Sequence, residues 1–217
     1  SLAKHEGWWL CLGGLTELSD AAAESLAKQR GVLRLGGLNE LSDTAAELLA
    51  KHEGELDLRG LTELSDTATE SLAKHEGWWL SLDGLIELSD AAAESLSKRK
   101  GGLSLAGLTE LSDEAAKSLA KHEGELDLRG INQISDAAAE SLSKNKGDLN
   151  LECVLELSDA AAQSLAKHEG ELSLHEVPII SLMGSEALSK KSGTICLGSP
   201  QWHFEFMKNM KDSTSED

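Results

Sequence analysis

Along most of the chain, apolar residues follow two alternating rhythms. In the stretch from Glu55 to Gly77, Leu56 and Leu58 flank one polar residue, the two-residue period of a short strand with one buried face. From Asp66 the period lengthens. Ala68 and Leu72 lie four apart, and the position of Thr69, three before Leu72, holds Ala46 in the preceding stretch, which is helical spacing. Ser65 or Asp66 is placed to cap that helix through a side-chain oxygen. Lys74, His75 and Gly77 read as its end, with cationic or ionisable groups near the negative dipole and a glycine able to turn left-handed. Gly60 to Leu64 forms the connecting loop and turns two more leucines inward.

This strand-loop-helix pattern recurs. Leu10, Leu33, Leu56, Leu80, Leu103, Leu126, Leu149, Leu172 and Ile195 are separated by 23 residues, once by 24, marking units that start near 8, 32, 55, 78, 102, 125, 148, 171 and 194. A strand of about four residues with a helix of about nine is not stable alone. Stacking resolves this: strands of successive units pair in parallel about 4.8 Å apart, and their leucines form continuous internal columns. Helices are wider than strands, so the stack is expected to curve with strands on the concave side.

Leu-x-Leu-x-Gly-Leu-x-x-Leu-Ser-Asp-x-Ala-Ala-x-x-Leu-Ala resembles the leucine-rich-repeat family, in the bacterial-type 23-residue form close to the cysteine-containing and ribonuclease-inhibitor-like variants. The resemblance covers Leu2 to about Leu197. It implies an α/β fold, a right-handed horseshoe solenoid with a parallel concave sheet and short convex helices. It also implies a binding surface rather than a catalytic one. The chain departs from the family by placing Leu15, Leu38, Leu61, Leu85, Leu108, Ile131 and Val154 where Asn or Cys is usual, so loop backbone groups must find partners other than an asparagine ladder.

A longer period overlies the short one. Trp8-Trp9-Leu10 returns as Trp78-Trp79-Leu80, and Glu55-Leu-Asp-Leu-Arg-Gly60 returns as Glu125 to Gly130, both after 70 residues. Residues 8–77 and 78–147 therefore read as tandem copies of a three-unit block, and the stretch from Asp148 as a third, decayed copy. Such irregularity favours a natural protein with recently amplified repeats over a consensus design. Repeats are expected over 1–198, opening with a truncated unit, followed by a carboxyl cap over 199–211 that uses Trp202, Phe204 and Phe206, and a flexible tail over 212–217. Ser1 to Gly7 matches Ser71 to Gly77, so the amino-terminal cap is expected to be missing, leaving an end open to self-association.

Composition narrows the partners. With 20 basic against 38 acidic residues in 217, the formal charge is −18, which disfavours nucleic acid and anionic lipid and favours a basic protein or a cation. No apolar run approaches a membrane span and no signal segment opens the chain, which leaves localisation undetermined. Cys11, Cys153 and Cys196 have no paired spacing and are expected to be free thiols.

Chemistry is sparse. His5, His52, His75, His122 and His168 recur in Lys-His-Glu-Gly, yet one His per unit brings too few ligands together for a metal, and a helix end accounts for them. Asp20, Asp43, Asp66, Asp90, Asp113, Asp136 and Asp159 read as caps rather than calcium ligands. No nucleophile elbow or glycine-rich phosphate loop is present, so neither an enzyme nor a cofactor is expected. The informative positions flank the strands. Trp8, Trp9, Trp78 and Trp79 mark an edge, with Trp79 roughly 14 Å from Trp9 at three strand spacings. Arg34, Asp57, Arg59, Asp83, Asp127, Arg129 and Glu152 lie on the presumed concave face, where Arg34–Asp57, Arg59–Asp83 and Arg129–Glu152 are expected as cross-strand charge pairs. These residues make a non-catalytic protein- or peptide-binding scaffold the leading expectation. The alternatives are the recognition arm of a larger enzyme or bacterial effector, and glycan binding through the Trp pairs.

Overall fold

A computed structural model describes residues 8–175, 177, 179–191 and 193–197. The expected amino-terminal half unit, the carboxyl cap with its aromatics and the tail lie outside these residues. Strands and helices alternate as β1 (Trp9–Cys11), α1 (Asp20–Ala27), β2 (Val32–Arg34), α2 (Asp43–Leu49), β3 (Glu55–Asp57), α3 (Asp66–Leu72), β4 (Trp79–Ser81), α4 (Asp90–Leu96), β5 (Gly102–Ser104) and α5 (Asp113–Leu119). They continue as β6 (Leu126–Asp127), α6 (Asp136–Leu142), β7 (Leu149–Asn150), β8 (Glu156–Leu157), α7 (Asp159–Leu165), β9 (Leu172–Leu174), β10 (Ile179–Ile180), α8 (Leu182–Ser189) and β11 (Ile195–Leu197).

Among the described residues, nine strands form one parallel sheet in the order β1-β2-β3-β4-β5-β6-β7-β9-β11. Every neighbour pairs without slippage, Leu33 with Leu56, Leu56 with Leu80 and Leu80 with Leu103. The chain is thus an α/β repeat solenoid whose core is one continuous block. Leu33, Leu56, Leu80, Leu103 and Leu126 are fully excluded from solvent, as are the loop residues Leu38, Leu61, Leu108 and Ile131 and the helical Leu49, Leu72 and Leu96. Each such leucine contributes on the order of 1.5–3 kcal/mol, and the small Ala45–Ala46 and Ala115–Ala116 pairs let the helices sit close to the sheet. No described helix is long and apolar enough to cross a membrane.

Elements are shorter than the periodicity predicts: strands of two or three residues and helices of seven or eight. Serine, not aspartate, is the cap. Ser112 Oγ accepts from Ala115 N–H at 3.0 Å and donates to Asp90 of the preceding unit at 2.6 Å. The same pair of bonds recurs where Ser65 donates to Asp43 and Ser89 to Asp66. Aspartate is therefore the first helical residue, favourable at the positive end of the dipole, and receives the next cap's hydroxyl. The helix ends differ from expectation too. Among the described glycines only Gly31 has a positive φ, of 88°. Gly54 and Gly77 are needed for another reason: a Cβ at Gly54 would lie 1.6 Å from the Gly31 carbonyl oxygen, and one at Gly77 1.8 Å from that of Gly54.

The loops after the strands replace the asparagine ladder with backbone bonds. Leu61 N–H donates to Leu58 O at 3.1 Å, and Leu108 N–H to Leu105 O at 3.1 Å. Near the carboxyl end, β10 pairs with β8 as a small second parallel sheet, Ile180 opposite Leu157, where Val177 to Ile180 replaces the usual loop. Replacing Ser112 by Ala should lower unfolding free energy in urea by about 1–2 kcal/mol. Combining it with Asp90→Ala should cost less than the sum of the two singles if the cross-unit bond couples them.

Candidate functional site

One face of the nine-stranded sheet packs on the core, and the other carries the strand side chains in columns set by the register. The first column runs Trp9, Val32, Glu55, Trp79, Gly102, Glu125, Asp148 and Glu171, and the middle column Cys11, Arg34, Asp57, Ser81, Ser104, Asp127, Asn150 and Ser173.

The tryptophans divide by position. Trp9 and Trp79 occupy the first strand slot, opposite Val32 and Gly102. Trp8 and Trp78 are the additional residues before the strand, and each still uses its carbonyl in the sheet, accepting from Val32 N–H at 2.7 Å and Gly102 N–H at 2.8 Å. Pairing of β3 with β4 begins only at Leu56 and Leu80, so Trp78 is accommodated as a bulge. Trp8, Trp9 and Trp78 are 76%, 60% and 53% exposed. The Trp79 ring lies over Gly102, where a Cβ would come within 2.4 Å of its Cε3. Trp9 is covered on one side by the Arg34 guanidinium, 4.7 Å from the ring centroid, a cation–π contact.

The two closest charge pairs form within one unit, not between neighbours. Arg59 Nε donates to both Asp57 oxygens at 2.9 and 3.0 Å, and Arg59 N–H to Oδ1 at 3.1 Å. Arg129 clasps Asp127 in the same way. Asp57 and Asp127 are buried, so each carboxylate needs its full set of donors close by. An arginine two residues on, projecting from the same face, supplies them at lower conformational cost than one on a neighbouring strand. This displaces the expected Arg59–Asp83 and Arg129–Glu152 pairs. Both guanidinium pKa values are raised, first by the hydrogen bond to aspartate. Arg34 likewise bypasses Asp57, its Nη2 approaching Glu55 at 3.8 Å. Asp83 instead accepts from Ser81 Oγ at 2.8 Å, from Ser104 Oγ and from Ala106 N–H. Glu152 approaches His175 at 3.8 Å.

Toward the carboxyl end the first column becomes acidic. Glu125, Asp148 and Glu171 immediately precede the neighbouring strands β6, β7 and β9, and the Glu125 pKa is raised by partial burial and then by Asp148 and Asp127. Cys196 Sγ donates to Glu171 at 3.2 Å, and that carboxylate raises the thiol pKa.

A second polar column runs inside the helix-to-strand turns, at the histidines that the sequence assigns to helix ends. His52, His75, Arg99, His122, Asn145 and His168 are all at most 2% exposed. Three of them, His52, Arg99 and Asn145, bond back to the turn before. His52 Nε2 donates to Gly31 O at 3.0 Å, Asn145 Nδ2 to His122 O at 2.6 Å, and Lys191 Nζ to Gly170 O at 2.7 Å. The His52 and His75 rings stack 5° from parallel with centroids 6.1 Å apart. Because a guanidinium only donates, Arg99 Nη2 at 3.1 Å from His75 Nδ1 requires a lone pair on that nitrogen. Burial, then Arg99, then His52 lower the His75 pKa to about 3, and burial first lowers those of His122 and His168. A neutral buried ring is not there to complement a helix dipole. The signal available in the sequence was the invariance of His between the exposed Lys and Glu of Lys-His-Glu-Gly, at a slot that also accepts Gln29, Arg99 and Asn145.

Among the described residues no three His, Cys, Asp or Glu side chains converge on a metal-sized site, and Cys11, Cys153 and Cys196 are free thiols. Neither protein-family models nor curated proteins yield a match to the chain.

The unfolded chain takes up a proton at histidine near pH 6.5, whereas His75 in the fold resists until about pH 3. Its contribution is complete above pH 6.5 and is lost as pH falls toward 3, at roughly 1.4 kcal/mol per pH unit. Urea titrations at pH 7 and pH 5 should show His75→Asn, which installs the residue used at position 145, losing about 2 kcal/mol less than wild type over that interval. Equal losses would contradict a neutral buried His75.

Proposed function

We propose that this chain is a non-catalytic binding scaffold of the leucine-rich-repeat type, whose open sheet face engages a protein or peptide. The observation that carries this reading is the placement of Trp9 and Trp79 on the solvent side of one sheet, in the same column and three strands apart. Indole rings held at fixed separation on a rigid sheet are efficient anchors, because they bury much area with little side-chain entropy loss. In the family geometry this face is concave, so an extended segment crossing the strands meets both rings.

Partner polarity follows from the columns. The Trp9–Trp79 end is apolar, with Arg34 paired to Glu55, whereas Glu125, Asp148 and Glu171 present carboxylates at the starts of neighbouring strands, in a chain of formal charge −18. A basic segment with apolar residues toward its β1 end suits that order. The Asp57–Arg59 and Asp127–Arg129 clasps act here as rigid floor, with only the outer guanidinium edges meeting a ligand. A glycan is the competing ligand, favoured by the exposure of Trp8 and Trp78 at the same edge, and the chain serving as recognition arm of a larger enzyme is compatible with either.

Peptides selected on the wild-type chain from a random display library should bind the Trp9→Ser/Trp79→Ser double variant about 30-fold or more weakly, as for loss of a hot-spot anchor. Circular dichroism would confirm that the variant keeps its fold. Selected peptides that bind both proteins equally would place recognition away from the sheet face, and a glycan array with Trp-dependent hits but no peptide selection would replace the peptide by a sugar.

A further inference from the structure

Between the carboxyl ends of α3 and α4 lies a groove of about 890 Å³ on the opposite side of the turns from the sheet face, with Lys74, Lys98, Arg99 and Lys100 among its lining residues. Three of these are surface lysines, but Arg99 is only 2% exposed. Its Nη2 donates to Gly77 O at 2.8 Å and to His75 Nδ1 at 3.1 Å. Its Nε and Nη1 are buried without a hydrogen-bond partner. The neighbouring ion pairs, Lys74–Glu70 and Lys98–Glu94, leave it out, and burial alone accounts for its lowered pKa of about 10.

A guanidinium withdrawn from water with two N–H sides unmatched is costly unless an anion supplies the acceptors. The turn itself does not require a guanidinium, since the same slot in other units holds His52, His75, His122, Asn145 and His168. The lining carries four cationic groups against three carboxylates, Glu70, Glu76 and Glu94, a local excess of positive charge in a strongly acidic chain. Glu70 and Glu94 pair with Lys74 and Lys98, which leaves Arg99 and Lys100 against Glu76. A Cβ at Gly101 would come within 2.5 Å of the Gly77 carbonyl oxygen and 2.7 Å of Arg99 Nη1, so a side chain there would displace the guanidinium.

We propose that this groove binds a phosphate-type oxyanion, with Arg99 donating from the floor and Lys74, Lys98 and Lys100 supplying charge at the rim. A phosphate dianion offers several acceptor oxygens in a geometry that matches the guanidinium fork, and the volume leaves space for an organic group attached to it.

Isothermal titration with inorganic phosphate, at ionic strength held constant with sodium chloride, tests this on the whole chain. Saturable binding to wild type is expected, weakened at least about tenfold by Arg99→His. That variant is expected to fold, because histidine fills the slot in four other described units. Lys98→Ala/Lys100→Ala provides a second test on exposed positions and should weaken phosphate binding several-fold. Phenyl phosphate run in parallel distinguishes the source: tighter binding than inorganic phosphate indicates a phosphomonoester lodged by its organic arm, equal binding indicates the free ion, and both uphold the site. Absence of saturable phosphate binding by folded wild type, or affinity unchanged in both variants, overturns it.

Discussion

The spacing of hydrogen-bonded parallel strands, about 4.8 Å, is the constraint from which the rest of this molecule follows. Each unit of 23 residues must return its chain to the same place one strand further on, with no slippage, as the pairing of Leu33, Leu56, Leu80 and Leu103 shows. At that separation consecutive turns nearly touch. The Gly31 carbonyl sits where a Gly54 side chain would be, so glycine is imposed by the next unit rather than by the dihedral angles of its own. The same closeness makes polar groups serve two units at once. Ser112 caps its own helix and bonds Asp90 of the preceding one, while Asn145 reaches back to the His122 carbonyl. Buried polar groups that would be liabilities in a single unit become the fastenings between units.

How legible each feature was in the sequence depended on whether its cause lay within one unit or between two. Strand and helix positions were legible because hydrophobic periodicity is local: Leu56-x-Leu58 and Ala68 with Leu72 show it directly. The stacking was legible because the pattern repeats in register. Helix lengths were overestimated, since the last turn of each is replaced by the tight turn that sends the chain back. The roles of Asp66 and His75 were misplaced for one shared reason. Each reads in the sequence as a group satisfied within its own helix, yet its partner is 23 or 24 residues away: Ser89 for Asp66 and Arg99 for His75. Local rules for capping and dipoles cannot see a partner in another unit.

The sheet face divides similarly. That Trp9 and Trp79 stand out from the repeat was visible in the chain, and so was the charge content of the strands. How those charges pair was not, because a column of alternating signs admits both along-strand and cross-strand partners. The outcome is decided by burial: Asp57 and Asp127 are too deep to share an arginine, so the residue two positions on claims each. This converts two residues that look like recognition elements into supports for the outer edges of Arg59 and Arg129. Arg99 shows the converse, a residue inconspicuous in a basic Lys-Arg-Lys run that proves to be buried.

The hydroxyl-to-carboxylate chain along the helix starts has a direction: each capping serine from Ser42 to Ser181 gives its proton backward and takes an amide hydrogen bond from its own helix. Any stretch cut between a glycine and the next strand therefore presents an acceptor aspartate at its trailing end and a donor serine at its leading end. Two such stretches join without a mismatched seam, whatever their number of rungs. A gene segment copied at that boundary yields a longer protein that needs no compensating change. The 70-residue echo between the two Trp pairs is what elongation by this route would leave behind.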